Sequence, residues 1–143
     1  LGDVYKRQYL DRSKMSPRES LMAAYDADIF LSSANAVTND GILINIDGNS
    51  NRVSCIAQGP RKVVFIVGIN KVCSDLDSAM KRARNVAAPV NAQRFDLNIP
   101  CRETGKCFDC KSMDTICCQF LITRFSRHTD RIHVILVNDT LGY

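Results

Sequence analysis

The chain is 143 residues long, 45% hydrophobic and 24% charged, with a formal net charge of +4, which fits one soluble domain with enough apolar side chains for a core. A membrane-spanning helix is excluded, because the longest apolar run, residues 63–69, falls far short of the roughly 20 residues that one needs, and nucleic acid is not expected as a partner because the basic residues gather into no patch. Seven cysteines, behind a start with no apolar signal core, point to a reducing, cytoplasmic compartment.

Residues 1–8 show no periodicity tying them to the rest of the chain and are expected to be a disordered or foreign extension of a domain running over residues 9–143. Ser16, Pro17 and Glu19 mark a helix start: serine caps free amides, proline fits the first turn, and glutamate closes a capping box. Leu21, Met22 and Tyr25 supply that helix's apolar face. Residues 28–33 read as a short buried strand. Asn39, Asp40 and Gly41 between two apolar runs predict a hairpin, since such a turn needs positive φ. Residues 53–57 predict a short helix broken by Gly59 and Pro60.

The segment KVVFIVG, residues 62–68, is the clearest strand and is expected at the centre of a parallel sheet, buried on both faces. A helix starts at Ser74, with Asp75 and Asp77 in its first turn, where carboxylates complement the helix dipole. Leu76, Met80 and Val86 are assigned to the core, and Lys81, Arg82 and Arg84 to a solvated face. Pro89 kinks or restarts the helix. Pro100 is expected to end it and to open a cysteine-rich loop over residues 100–118. Two last strands, residues 119–125 and 132–138, complete an alternation of helices and strands that predicts an α/β domain.

Two segments carry candidate chemistry. The first is polar: Asp47, Gly48, Asn49, Asn51 and Arg52 come after a strand, with Asn35 and Thr38 close by in sequence. Ligands of open α/β sheets sit beyond strand ends, Asn45, Asn49, Asn51 and Asp47 offer directional hydrogen bonds, and Arg52 offers a fork for a carboxylate or phosphate. Asn70 and Lys71, at the exit of the central strand, are a second, smaller candidate for holding a small anionic ligand. Against this stands the plainer reading that Asn, Asp and Gly are there to turn the chain.

The second segment places five of the seven cysteines in eighteen residues, as Cys101-x5-Cys107-x2-Cys110-x6-Cys117-Cys118. Four thiolates, here Cys101, Cys107, Cys110 and Cys117, are a ligand set for zinc or an iron–sulfur cluster. A redox dithiol and inert buried cysteines are the competing readings. Cys118 is expected to be core, as are the isolated Cys55 and Cys73. Neither His128 nor His133 has a neighbour at a spacing that makes a triad, and no catalytic residue is assigned.

Residues 32–41 (SSANAVTNDG), 47–53 (DGNSNRV), 59–63 (GPRKV), 68–71 (GINK), 84–89 (RNVAAP) and 100–118 (PCRETGKCFDCKSMDTICC) together resemble the lactate-utilisation, or LUD-domain, family, in a cysteine-rich branch. The resemblance implies a mostly parallel sheet wrapped by helices, related to the sugar-phosphate isomerase and coenzyme A transferase-like superfamily. It implies that residues 9–143 are a partial LUD domain, without an N-terminal helix and glycine-rich strand–loop that would supply half of the ligand pocket. It also implies a component or accessory of an L-lactate-oxidising electron-transfer system, with iron–sulfur oxidoreductase subunits as partners. A stand-alone transferase-like or binding protein for a phosphorylated or coenzyme-linked ligand, and a thiol or metal sensor, are the alternatives.

Overall fold

A computed structural model describes residues 9–143, so the expectation of an extension over residues 1–8 lies outside the described residues. Helix α1 (Pro17–Asp26) opens with the expected capping box: Ser16 Oγ accepts from Glu19 N at 3.3 Å, and Glu19 Oε2 accepts from Ser16 N at 2.9 Å. Strands β1 (Ile29–Ser32), β4 (Lys62–Gly68) and β7 (Ile132–Val137) form an all-parallel sheet in the order β1-β4-β7.

A second sheet contains β2 (Ala36–Thr38), β3 (Leu43–Asp47), β5 (Val72–Cys73) and β6 (Gln119–Thr123), in the order β5-β2-β3-β6. The chain is thus α/β, but the expected single, mostly parallel sheet is corrected to a parallel sheet beside a mixed one. The hairpin turn forces the difference. Gly41, at a φ of 88°, returns β3 directly alongside β2, and a connection that short can join only antiparallel strands. β6 then adds antiparallel to the free edge of β3.

The two sheets share one core. Val63, Phe65 and Val67 of β4 pack with Val37, Leu43 and Ile56, the last from helix α2 (Asn51–Ala57). β4 is central with parallel neighbours on both sides, as expected. Its burial on both faces is corrected: Ile66 is 41% exposed, and beside it Leu31 and Ile135 are 62% and 50% exposed. None of the described helices covers that face, so the apolar run alternates in burial even though it does not alternate in hydropathy.

Helix α3 (Leu76–Arg82) is capped by Asp75, whose Oδ1 accepts from Ser78 N at 2.8 Å. It continues as a π-turn (Ala83–Ala87) into α4 (Ala88–Ala92). Ala79, Ala83 and Ala87 are fully buried, Ala79 and Ala83 against Ile44 and Ile46, whereas Leu76 and Val86 are exposed. The core assignment of Leu76 and Val86 is therefore corrected. A stripe of methyl groups lets the helix backbone approach the sheet closely, and larger side chains are turned outward. The widened π-turn lies just ahead of buried Pro89, which lacks the N–H that a regular helix would use there. Pro100 does not end a helix. It starts one, α5 (Pro100–Thr104), a position that suits its fixed φ.

Among the described residues no helix is long and apolar enough to cross a membrane.

Candidate functional site

Residues 47–52 turn the chain from β3 into α2, and their strongest polar groups serve that turn. Ser50, at the N-cap, has a φ of 61° and no side-chain capping bond. Asp47 caps the helix instead: its Oδ2 accepts from the backbone N–H of Arg52 at 2.8 Å and of Val53 at 2.9 Å. Its Oδ1 accepts from Arg52 Nε at 2.8 Å and Nη2 at 2.6 Å, and Nη2 also donates to Ile46 O at 2.7 Å. A carboxylate at the positive end of a helix, paired with a guanidinium, is stable without any ligand.

Gly48 does permit a close approach, but what approaches is the backbone of Ile116, whose Cα a side chain here would meet at 3.3 Å. Thr38 Oγ1 accepts from Ile42 N at 2.8 Å and donates to Asp40, closing the hairpin. Asn35 Oδ1 accepts from Ile46 N at 2.8 Å. Asn49 and Asn51 are exposed. Asn35, Thr38, Asp47, Gly48 and Arg52 thus hold the backbone around β3.

Lys71 and Asn70 come together beyond the end of β4. Lys71 is only 5% exposed, and its ammonium donates to Ser33 Oγ at 3.2 Å. Burial pushes its proton affinity below that of an ordinary lysine, and the nearby charges of Arg82 and Arg52 push the same way. Arg82 is half-buried and donates to the carbonyls of Asn70, at 3.0 Å, and Asn35. Asn45, fully buried, donates from Nδ2 to Ser33 O at 2.9 Å, while its Oδ1 has no partner among the described residues. Beyond the expected Asn70 and Lys71, the structure therefore adds Ser33 and Arg82, and it brings Asn45 here rather than to the polar loop.

The cysteines gather around a cavity of about 30 Å³ bordered by Cys101, Cys107, Cys110 and Cys117, with Arg84 and Phe120. α5 carries Cys101, and Gly105, at a φ of 70°, ends that helix so that the loop can return Cys107 and Cys110. Arg84 Nη2 donates to Cys107 Sγ at 3.4 Å and to Asp109 Oδ1 at 2.7 Å, and Asp109 N also donates to Cys107 Sγ, at 3.5 Å. Burial, then the neighbouring thiols, push Cys117 up to about 11. All seven cysteines are free thiols. Among the described residues no three of His, Cys, Asp and Glu stand close enough to hold one metal ion.

Cys55 is core, as expected, but Cys118 is exposed and is corrected. The solvated face assigned to Lys81, Arg82 and Arg84 is corrected too. Lys81 alone is exposed, pairing with Asp77, while Arg82 donates to the carbonyl beside Lys71 and Arg84 to a thiol. For Lys81 and Arg82 the spacing held the clue, since adjacent helical residues point about 100° apart and cannot share one direction.

Compared with curated proteins and with solved structures, the chain finds no significant match. The family model of the LUD domain matches it over residues 3–137, nearly its whole length. The chain therefore belongs to the LUD-domain family.

Proposed function

We propose that this LUD domain is a component or accessory of an L-lactate-oxidising electron-transfer system, binding a small anionic ligand and carrying an iron–sulfur cluster on its clustered cysteines. The observation that carries the reading is the single cavity bordered by Cys101, Cys107, Cys110 and Cys117. Four thiols are the donor set of such a cluster.

When bound, the cluster supplies one-electron transfer. The chain's own residues set its surroundings. Arg84 brings a positive charge to Cys107 and offsets thiolate charge. Cys101 and Cys110 pack with Ala92, Ile99 and Ile116, which limits water at that side of the site. On this reading the partners are iron–sulfur oxidoreductase subunits and the compartment is the reducing cytoplasm, which free thiols suit. The fold's relation to the sugar-phosphate isomerase and coenzyme A transferase-like superfamily belongs to the same proposal. It is supported by the parallel β1-β4-β7 sheet with polar residues beyond its strand ends.

Anaerobic purification with iron, sulfide and zinc analysis and a visible spectrum tests the proposal. Iron and sulfide together with a broad visible band are expected, both lost in Cys107→Ser and Cys110→Ser. Zinc alone, or seven titratable thiols and no metal, would overturn the electron-transfer role. Either result would leave a stand-alone binding protein or a thiol sensor.

A further inference from the structure

Lys71 is a buried cation without a counter-charge among the described residues. No ion pair among the described residues engages it or Arg82, whereas the third nearby cation, Arg52, is matched by Asp47. Taking an ammonium out of water is costly unless an opposite charge arrives with it. Its one hydrogen-bond partner among the described residues, Ser33 Oγ, leaves further N–H groups of the ammonium unused. Ser33 accepts that bond, so its own O–H stays available to donate. The Ser33 carbonyl accepts from Asn45 Nδ2, and Asn45 Oδ1 is itself buried without a partner among the described residues.

Residues 139–143 lie over this group. They cross the end of β4, where Ile69 N donates to Asp139 O at 3.2 Å and Leu141 N to Asn70 Oδ1 at 3.2 Å, while Asn70 Nδ2 donates to Gly142 O at 3.3 Å. Gly68 makes the crossing feasible, since a side chain there would lie 2.5 Å from Leu141 N. Gly142 sits against the ammonium, a Cβ on it falling 3.5 Å from Lys71 Nζ. Outside β4 the segment is tied at Tyr143, whose hydroxyl donates to Asn91 Oδ1 at 2.7 Å and accepts from Arg94 at 3.0 Å. These bonds hold a short segment, outside any helix or strand, across the end of β4.

We propose that Lys71 and Ser33, beneath residues 139–143 and beside Arg82, form the binding site for a compact oxyanion, a carboxylate or a phosphate. The site rests on the anion-binding half of the function proposed above and moves the anion from the polar loop to the end of β4. Lys71 supplies the charge and two N–H donors, and Ser33 supplies a hydroxyl. Arg82 holds the flanking carbonyls of Asn35 and Asn70 in place and adds to the positive potential.

The test is calorimetric titration of the full chain with L-lactate, pyruvate and inorganic phosphate, against chloride at equal ionic strength. At least one oxyanion is expected to bind saturably, and chloride is not. A lost charge-assisted bond weakens binding about tenfold or more, so Lys71→Met should lose at least that and Ser33→Ala less. Lys81→Met, on the solvent side, should bind as the wild type does, and circular dichroism confirms that each variant folds. Binding of phosphate without lactate or pyruvate supports the site and overturns the lactate reading. Anion binding by a metal-free protein supports the site and overturns only the electron-transfer role. No saturable binding by the wild type, equal competition by chloride, or undiminished binding by Lys71→Met would overturn the site itself.

Discussion

Asp47→Ala separates a scaffold from a ligand loop. Asp47 is 5% exposed and accepts four hydrogen bonds, two from the first-turn amides of α2 and two from Arg52. Losing a helix cap costs about 1 kcal/mol. Stranding a buried charge's partner costs about 3–5 kcal/mol, but the Arg52 side chain is 37% exposed and water will recover much of that. The sum is a loss of about 3 kcal/mol, or about 10 °C in melting temperature for a chain of this size. Asp47→Asn keeps an acceptor for one helix amide and loses the charge, so about half that loss is expected. Urea or thermal unfolding monitored by circular dichroism gives both numbers, and titration with lactate or phosphate gives the functional arm. The reasoning is refuted if either variant keeps wild-type stability while losing anion affinity, because Asp47 would then act on a ligand and not on α2.

Lys71→Met should stabilise the ligand-free protein by about 1 kcal/mol, since the stem's volume is kept and an unpaired buried charge is removed. Burial lowers the Lys71 proton affinity in the fold, so the unfolded chain holds that proton more tightly. The penalty is therefore fully present below the lowered value in the fold and fades as pH rises through it towards the ordinary lysine value of 10.5. Urea midpoints of wild type and variant should accordingly converge with rising pH, and a constant gap would contradict the assignment. Gly59→Ala puts a Cβ 2.8 Å from both the Cα and the carbonyl oxygen of Cys55 at the end of α2. It should cost about 2 kcal/mol or more in chemical unfolding, the scale of overpacking. Arg131, itself buried, donates to the carbonyls of Ile56, Cys55 and Pro60 at 2.7, 3.2 and 3.2 Å. Arg131→Met should destabilise by about 2 kcal/mol, because the Ile56 and Pro60 carbonyls lose this donor while Cys55 O keeps the N–H of Gly59, and an unchanged unfolding midpoint would show that the two find water instead.

Local chemistry was legible in the sequence because it depends on neighbours along the chain. Ser16 with Glu19, Asn39-Asp40-Gly41, the break at Gly59 and Pro60, and the β-branched run of residues 62–68 each act within a few residues. Each produced the expected capping box, hairpin, helix end or strand. The gathering of Cys101, Cys107, Cys110 and Cys117 was foreseeable for the same reason, since short spacing keeps thiols near one another whatever the fold does.

What depended on distant segments could not be read there. Asp47 and Arg52 have the composition of a ligand loop, and only the placement of the α2 amides beside Asp47 shows where their bonds go. The run KVVFIVG is equally apolar on both faces, so nothing within it tells which face the second sheet will cover. Lys71 looks like any lysine after a strand. It becomes a buried, unmatched cation because Ser33, Arg82 and residues 139–143, brought from three other parts of the chain, enclose it. Charge and hydrogen-bonding capacity belong to a residue, but desolvation and the presence of a partner belong to its surroundings, and those exist only once the chain has folded.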